Sequence, residues 1–242
     1  MGDGNPLQRQ CVKSVMMREK ENREGNCIKI GMADTVPLED PGFYQSIYDR
    51  LSGIRRKKAD DLKMFHARCQ SVAAGWLITR FVREYAQGKT CISMAERKGE
   101  QNAKTDETVY YNLSHSGELA ACAVAQFPVG IDIEQVRKCR MSVARRCFDE
   151  CDCILLEQAE GKTEQAELFT KLWTIKESEA KLTGEGLARI LRKEVSEEIC
   201  TVSERIEKGE DIYYLTVAFS KRNRAQLTGQ TLSISRIGYE NV

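Results

Sequence analysis

Three carboxylates and one lysine, in two short motifs, have the types and spacing needed for metal-assisted phosphate chemistry. Asp132 and Glu134 stand two residues apart in VGIDIE, a predicted strand that places both side chains on one face. Glu177 and Lys181 stand four residues apart in a predicted helix, so they also share a face. If this helix packs on the strand, three carboxylates converge. Such a set of oxygen ligands suits Mg²⁺ bound together with the phosphates of a substrate.

Each motif also has a plainer interpretation. Alternating acidic residues occur on the solvated face of a strand, and a glutamate four residues before a lysine is a common surface ion pair. Two features favour a site. Gly130 permits a close approach of another backbone to the strand. Phe169 and Trp173 lie on the same helical row as Glu177 and Lys181, so this row is at least partly covered.

Groups suited to binding phosphate stand elsewhere in the chain. The turn sequence Ser114–Gly117 (SHSG) offers two hydroxyls, backbone N–H groups and His115 to a single anion. Lys176, beside Glu177, adds a cation. The basic run 55–58 and Arg68 form a solvated face by default, and they become relevant only if they lie near His115. The combined pattern is typical of attack on a phosphoryl group with a metal ion present.

These residues must be positioned by an alternation of strands and helices. Apolar patterning predicts a hairpin over 109–125 with SHSG at its tip, and a helix over 166–183 that ends at Gly184 and Gly186. The other predicted strands are 27–30, 91–94, 129–134, 198–206, 212–219 and 231–237, and the other predicted helices are 43–52, 61–86, 143–148 and 152–160. A strand followed by helices, including a long helix with a tryptophan, and then more strands occurs twice. This order is a hint of internal duplication.

The bulk composition excludes several classes of protein. The 242 residues suit one large domain or two small ones, and 37 basic against 36 acidic side chains give no global attraction to nucleic acid or membranes. Residues 1–25 are expected to be a polar, mobile leader without a secretory signal, so the ten cysteines are expected to be reduced. Their spacing does not suggest a zinc site, and no apolar stretch is long enough to span a bilayer.

Three motifs in order resemble those of the 4′-phosphopantetheinyl transferases of the surfactin-synthetase-activator type: Asn112–Gly117, Gly130–Glu134, and Trp173–Ser178 followed by Lys181. The resemblance implies an α+β fold, a pseudo-dimer of two similar halves with the active site in the cleft between them. After the leader 1–25, the halves would be residues 26–127 and 128–242. It also implies a cytoplasmic monomer.

Such an enzyme moves the phosphopantetheine arm of coenzyme A (CoA) to a serine of an apo acyl or peptidyl carrier protein and releases adenosine 3′,5′-bisphosphate. The resemblance implies that Asp132, Glu134 and Glu177 hold Mg²⁺, with Mn²⁺ as the alternative metal. Glu177 would also be the base, and Lys181 would offset charge on the leaving phosphate. The expected CoA contacts are Ser114, His115, Arg56, Arg68 and Lys176. The segment from Gly184 to about Tyr214 would meet the carrier protein.

One departure from the family pattern concerns CoA affinity. Many relatives carry Gly-Lys-Pro ahead of the histidine motif, whereas this chain has Lys98-Gly99-Glu100-Gln101, so Lys98 or Lys104 would have to substitute. Two other functions stay open. A degenerate relative would only bind a carrier protein or CoA, but it should lack one of the acids or Lys181. Another Mg²⁺-dependent phosphate enzyme would be expected to carry a phosphate-cradling glycine loop before a helix.

Overall fold

The computed structural model describes residues 28–86, 93–95, 108–226 and 232–239, so the leader, Lys98 and Lys104 lie outside the described residues. The described strands and helices, in chain order, are β1 Ile28–Asp34, α1 Pro41–Tyr48, α2 Gly53–Asp60, α3 Phe65–Ala86, β2 Ser93–Ala95, β3 Thr108–Ser116, β4 Leu119–Ala125, β5 Val129–Gln135, α4 Met141–Cys147, α5 Glu150–Gln158, α6 Lys162–Thr183, α7 Leu187–Ile190, β6 Ile199–Lys208, β7 Asp211–Ser220 and β8 Leu232–Arg236.

The strands form two sheets, and each contains an antiparallel hairpin beside a third strand. The first has the order β2-β3-β4-β1-β8, and the second has the order β5-β7-β6. In the first sheet the antiparallel hairpin β3–β4 lies beside β1, and in the second the antiparallel hairpin β6–β7 lies beside β5. Between these elements each part of the chain carries a helix of 22 residues, α3 or α6. The α+β class predicted from the sequence is therefore confirmed.

Two apolar layers fix the sheets. The inner faces of β1, β4, β5 and β7 pack together, with Ile30, Ala121, Ile131 and Leu215 all buried. The opposite face of the first sheet packs on α3 around Trp76. Strand β4 is buried on both faces because it lies between these layers, which explains its continuous run of small apolar residues.

Gly130 sets the distance between α6 and the second sheet. A Cβ atom at this position would lie 2.0 Å from the carbonyl oxygen of Ser178 and 2.7 Å from the nitrogen of Leu182. A side chain would therefore collide with the helix backbone, which is less able to yield than a flexible side chain. The missing side chain lets α6 lie directly on β5, with Glu177 and Lys181 beside Asp132.

Side chains close the outer edge of β5. β3 pairs with β4 over Tyr110–Ser116 but with β2 only over Thr108–Tyr110, and side chains of its remaining residues reach β5. Asn112 Oδ1 accepts a hydrogen bond from Ile131 N at 3.1 Å, and Ser116 Oγ accepts one from Gln135 N at 3.1 Å. The ammonium of Lys181 donates to Ile131 O at 3.1 Å. These bonds satisfy backbone groups that an edge strand would otherwise expose.

Local capping explains where the helices depart from the predicted bounds. Helix α1 begins at Pro41 because Asp40 caps it, its Oδ1 accepting from Phe43 N at 2.7 Å. The basic run 55–58 lies within α2, whose N-cap is Ser52, and α3 begins only at Phe65. The hairpin and the end of α6 at a left-handed Gly184 are confirmed. The prediction that SHSG forms the tip is wrong in part, because Ser114–Ser116 pair with β4 as the end of β3 and the turn is at Gly117 and Glu118.

Two further expectations concern the cysteines and membranes. The seven cysteines of the described ranges are all free thiols, among them the buried Cys69, Cys122 and Cys147. Among the described helices, none combines the length and the apolar character that crossing a bilayer requires.

Candidate functional site

A cavity of about 370 Å³ gathers most of the residues that the motifs single out. It lies where β3, β5, α2 and α6 meet. Its lining residues are Arg55, Lys58, Leu62, Ser71, Ala74, Leu113, Ser114, His115, Asp132, Glu134, Glu177 and Lys181. The strand and helix motifs thus contribute four charged side chains to one cavity, as the sequence predicts.

Asp132, Lys181 and Ser114 form a closed triangle on its floor. Asp132 is 3% exposed, and its Oδ1 lies 2.8 Å from Lys181 Nζ and 2.7 Å from Ser114 Oγ. Lys181 Nζ also lies 3.0 Å from Ser114 Oγ. The second carboxylate oxygen, Asp132 Oδ2, is buried and has no hydrogen-bond partner among the described residues. An acceptor left in this state is costly unless a ligand satisfies it.

The three acids share a raised pKa. Burial raises the pKa of Asp132, and the nearby charge of Lys181 opposes the rise. Burial also raises the pKa of Glu134, and the hydrogen bond from the Ser116 hydroxyl opposes this rise. The pKa of Glu177 is raised first by burial and then by the negative charge of Asp132. Additional positive charge in the cavity would stabilise all three carboxylates.

The donor set fits a hard divalent cation in an open site. Asp132 Oδ2 lacks a partner, and the desolvated acids favour added positive charge. In the described part of the chain, no three carboxylate, histidine or cysteine side chains already converge as a complete metal-binding group. Mg²⁺ is usually bound by one or two carboxylates with waters and substrate phosphates, so an incomplete protein shell is compatible with it.

His115 lies on the cavity wall at the end of β3. The pKa of His115 is lowered, first by partial burial and then by repulsion from Lys181, so the neutral imidazole is favoured near pH 7. The turn after it is clamped from two sides. Gln70 Nε2 donates to Gly117 O at 2.8 Å, and a Cβ at Gly117, whose φ is 52°, would lie 2.7 Å from Tyr213 Oη. The histidine is therefore presented by the end of a strand whose following turn is held in place.

The cationic side chains of the wall differ from the predicted pair. Arg55 and Lys58 line the cavity, whereas Arg56 and Arg68 are not among its lining residues. Arg68 instead donates from Nε to Leu62 O at 2.7 Å. Arg55 and Lys58 are three residues apart and share a face of α2, which is a detectable helical signal. The sequence does not show which face of this short helix turns toward the cavity.

The prediction that Lys176 belongs to the phosphate-binding set is not supported by its position. Lys176 is 1% exposed, and its ammonium lies 3.5 Å from Asp149 Oδ2 and 3.9 Å from Asp152 Oδ2 and also donates to Lys193 O. The reason is helical geometry. Five residues of α-helix turn the chain by about 140° beyond a full turn, so Lys176 and Lys181 face different directions.

A second cavity of about 280 Å³ shares Glu134 with the first. Its floor contains the rings of Phe169 and Trp173, which stack with centroids 6.2 Å apart. Its other lining residues are Gln135, Arg137, Lys138, Arg140, Val143 and Thr170. The side chains of this helical row are half-buried, as expected from the sequence. Phe169 and Trp173 line a partly apolar groove next to the acids.

Comparisons with known proteins find similarity to one group of enzymes. Residues 128–227 match the model of the 4′-phosphopantetheinyl transferase superfamily. The 4′-phosphopantetheinyl transferase gsp of Aneurinibacillus migulanus is 40% identical over 82 residues, which are 34% of each chain. The transferase psf-1 of Bacillus pumilus is 38% identical over 95 residues, or 38% of this chain and 40% of its own. The transferase Sfp of Bacillus subtilis (strain 168) is 39% identical over 79 residues, or 33% of this chain and 35% of its own.

These matches confirm the resemblance to 4′-phosphopantetheinyl transferases, and the family match contains two of the three motifs, Gly130–Glu134 and Trp173–Ser178. The aligned region spans between a third and two fifths of the length of each of these relatives. The matched residues include β5 and α6, which carry Asp132, Glu134, Glu177 and Lys181.

Proposed function

We propose that this protein transfers the 4′-phosphopantetheine group of CoA to a serine of an apo acyl or peptidyl carrier protein and releases adenosine 3′,5′-bisphosphate. One observation carries the proposal: the acids of the β5 and α6 motifs share a cavity with Lys181, and Arg55 and Lys58 face them. The cavity thus combines a metal-binding side with a phosphate-binding side. The similarity to phosphopantetheinyl transferases over residues 128–227 supports the same reaction.

The phosphates of CoA would lie across this cavity. Arg55, Lys58 and His115 form the side that would receive the 3′-phosphate, since their cationic or N–H groups suit an anion. Ser114 would contact the pyrophosphate from the floor, beside Lys181. Arg56 and Arg68 are assigned no role in this arrangement, and Lys176 has a structural one.

The pantetheine arm would extend into the second cavity. The arm is uncharged and partly apolar, which suits the rings of Phe169 and Trp173. Glu134 belongs to both cavities, so an arm that starts at the pyrophosphate is next to this groove from its first atoms.

Asp132, Glu134 and Glu177 would hold Mg²⁺, with Mn²⁺ as an alternative. When bound, the metal neutralises charge on the pyrophosphate, which makes the phosphorus a better electrophile. The partnerless Asp132 Oδ2 is the oxygen best prepared for this role.

The side chains of α6 would perform the proton and charge chemistry. Glu177, whose pKa is raised by burial and by Asp132, accepts the proton of the carrier serine hydroxyl. The serine oxygen then bonds to the phosphorus that bears pantetheine, and the bond from this phosphorus to the bridging oxygen of adenosine bisphosphate breaks. Lys181 offsets the negative charge that develops on the leaving phosphate.

The arrangement of the sheets supports a pseudo-dimer. The shared order of hairpin and neighbouring strand, with a 22-residue helix in each part, suggests two halves related by duplication. One chain would then supply both sides of the cleft and act as a monomer in the cytoplasm. The segment after Gly184 would meet the carrier protein.

Intact-mass measurement of an apo carrier protein incubated with CoA and Mg²⁺ tests the proposal. We expect the mass to increase by one phosphopantetheine group, and we expect no increase with Glu177→Gln. Glu164→Gln is the matched control, because Glu164 is an exposed glutamate in the first turn of the same helix and does not line the cavity. Transfer by a correctly folded Glu177→Gln protein, or no transfer by the native protein to several carriers, would contradict the proposal.

A further inference from the structure

We propose that Ser116 is a positioning residue that orients the Glu134 carboxylate toward the cavity. Asn112 supports this role because it holds β3 against β5. This inference rests on the proposed function and adds two residues to it. Neither of them lines the cavity itself. Their effect on the site would pass through β5 and the acids it carries.

The hydroxyl of Ser116 both donates and accepts a hydrogen bond. It donates to Glu134 Oε2 at 2.6 Å and accepts from Gln135 N at 3.1 Å. Ser116 is 7% exposed, so water does not readily replace these bonds. A glutamate side chain has several rotatable bonds, and the hydroxyl holds one of its oxygens. Glu134 lines the cavity, so its other oxygen, Oε1, would be available to a ligand.

Asn112 makes the corresponding contact at the other end of the acid pair. It is 7% exposed, and its Oδ1 accepts from Ile131 N at 3.1 Å. The contacts therefore join residues 112 and 116 of β3 to residues 131 and 135 of β5. The spacing is four residues on both strands, so the two bonds form together only in one register. Asp132 and Glu134 lie between the two anchored positions.

Side chains hold β3 and β5 in register because the two strands are not joined by backbone hydrogen bonds. β3 belongs to the first sheet and β5 is an edge strand of the second. Without a ladder, the relative position of the strands depends on packing and on these polar contacts. Hydrogen-bond partners behind a metal ligand commonly change metal affinity by roughly 10–100-fold when they are removed.

Titration of the protein with Mn²⁺ in the presence of CoA, followed by electron paramagnetic resonance of the free ion, tests this role. We expect Ser116→Ala to weaken Mn²⁺ binding about tenfold. Ser116→Thr retains the hydroxyl and should bind Mn²⁺ nearly as the native protein does. The matched control is Ser203→Ala, which removes a hydroxyl that hydrogen-bonds to Thr216 Oγ1 at 2.8 Å in the second sheet. It should alter stability without altering Mn²⁺ affinity.

Thermal unfolding of each variant separates positioning from a general loss of structure. If Ser116→Ala does not fold, Ser116→Cys provides the test, because a thiol is a much weaker donor of similar shape. Native Mn²⁺ affinity in the folded variant that lacks the hydroxyl would overturn the inference, as would a native protein that binds no Mn²⁺. Failure of the native protein to modify a carrier, with Mn²⁺ binding still dependent on Ser116, would overturn only the proposed reaction.

Discussion

Helix α6 carries two lysines that pair with aspartates, and the two clusters have opposite access to solvent. The Lys176 side chain is 2% exposed and lies between Asp149, Asp152 and the carbonyl of Lys193. The Lys181 side chain is 27% exposed and lies between Asp132, Ser114 and the edge of β5. The first cluster joins α6 to the start of α5 and to the segment after α7, whereas the second opens into the cavity.

The difference shows that a lysine beside acids is informative only when its surroundings are known. In the Lys176 cluster the protein itself supplies the partners, and Asp149 also caps α5 by accepting from Asp152 N at 2.9 Å. In the Lys181 cluster the neighbouring Asp132 keeps one oxygen without a partner among the described residues. The closed cluster stabilises the fold, and the open cluster has capacity left for a ligand.

Replacement of Lys176 should produce the largest change in stability. Lys176→Met leaves Asp149 and Asp152 without their buried cation, and breaking a buried pair lowers the free energy of unfolding by about 3–5 kcal/mol. Urea unfolding monitored by circular dichroism measures this loss. The value of kcat per folded molecule should stay near that of the native protein. A selective loss of kcat with unchanged stability would reverse the roles assigned to the two lysines.

Lys181→Met should have its main effect on the reaction. Removing one preorganised charge that stabilises a transition state lowers kcat by about 10²–10³-fold, equivalent to roughly 3–4 kcal/mol. Single-turnover transfer to an apo carrier protein measures the chemical step. Lys171→Met, at another lysine of α6, serves as the control. A kcat that remains native after the change at Lys181 would place the leaving-group cation elsewhere.

Helix α2 offers a similar comparison, because Arg55 lines the cavity and Arg56 does not. Arg55→Gln removes a guanidinium from the cavity wall and should raise the KM for CoA by about tenfold, since charge-assisted hydrogen bonds contribute roughly 1.5–3 kcal/mol. Arg56→Gln is the matched control and should leave KM unchanged. Equal effects of the two substitutions would mean that bulk charge, and not the orientation of α2, governs CoA binding.

The last expected effect is a gradual pH dependence of stability in the closed cluster. Burial and the negative charge of Asp149 raise the pKa of Asp152 to about 7, so the folded protein retains a proton that the unfolded chain has lost. The stabilising contribution of Asp152 to the free energy of unfolding is therefore fully present below about pH 4. It is lost as the pH rises to about 7, at less than about 1.4 kcal/mol per pH unit. Unfolding at pH 5, 6, 7 and 8 should show this decline in the native protein but not in Asp152→Asn. Parallel curves would refute the assignment.

The sequence predicts the parts of the site that depend on local periodicity. Alternation in VGIDIE places Asp132 and Glu134 together, and the four-residue spacing places Glu177 with Lys181. Both pairs line the cavity, and the glycine in the strand marks the close approach of the helix. These features are encoded within single elements, so no knowledge of the tertiary fold is needed to propose them.

The remainder depends on contacts between elements distant in sequence. Lys176 is adjacent to Glu177, yet its direction is useful only to Asp149 and Asp152 of another helix. The choice of Arg55 over Arg56 depends on how a short helix rotates on α3. The bonds from Ser116 to β5 join two strands that do not pair through their backbones. In each case the tertiary arrangement selects one of several locally acceptable roles.

The absence of a side chain at Gly130 determines how closely β5 and α6 can lie. With a Cβ only 2.0 Å from the carbonyl oxygen of Ser178, even alanine would force α6 outward by more than an ångström. Displacements of about 1 Å can reduce rates by roughly 100-fold. The lining side chains of the cavity can therefore be varied more freely than this position. Substitutions at Gly130 would change the separation of β5 and α6, and with it the positions of Glu177 and Lys181 relative to Asp132.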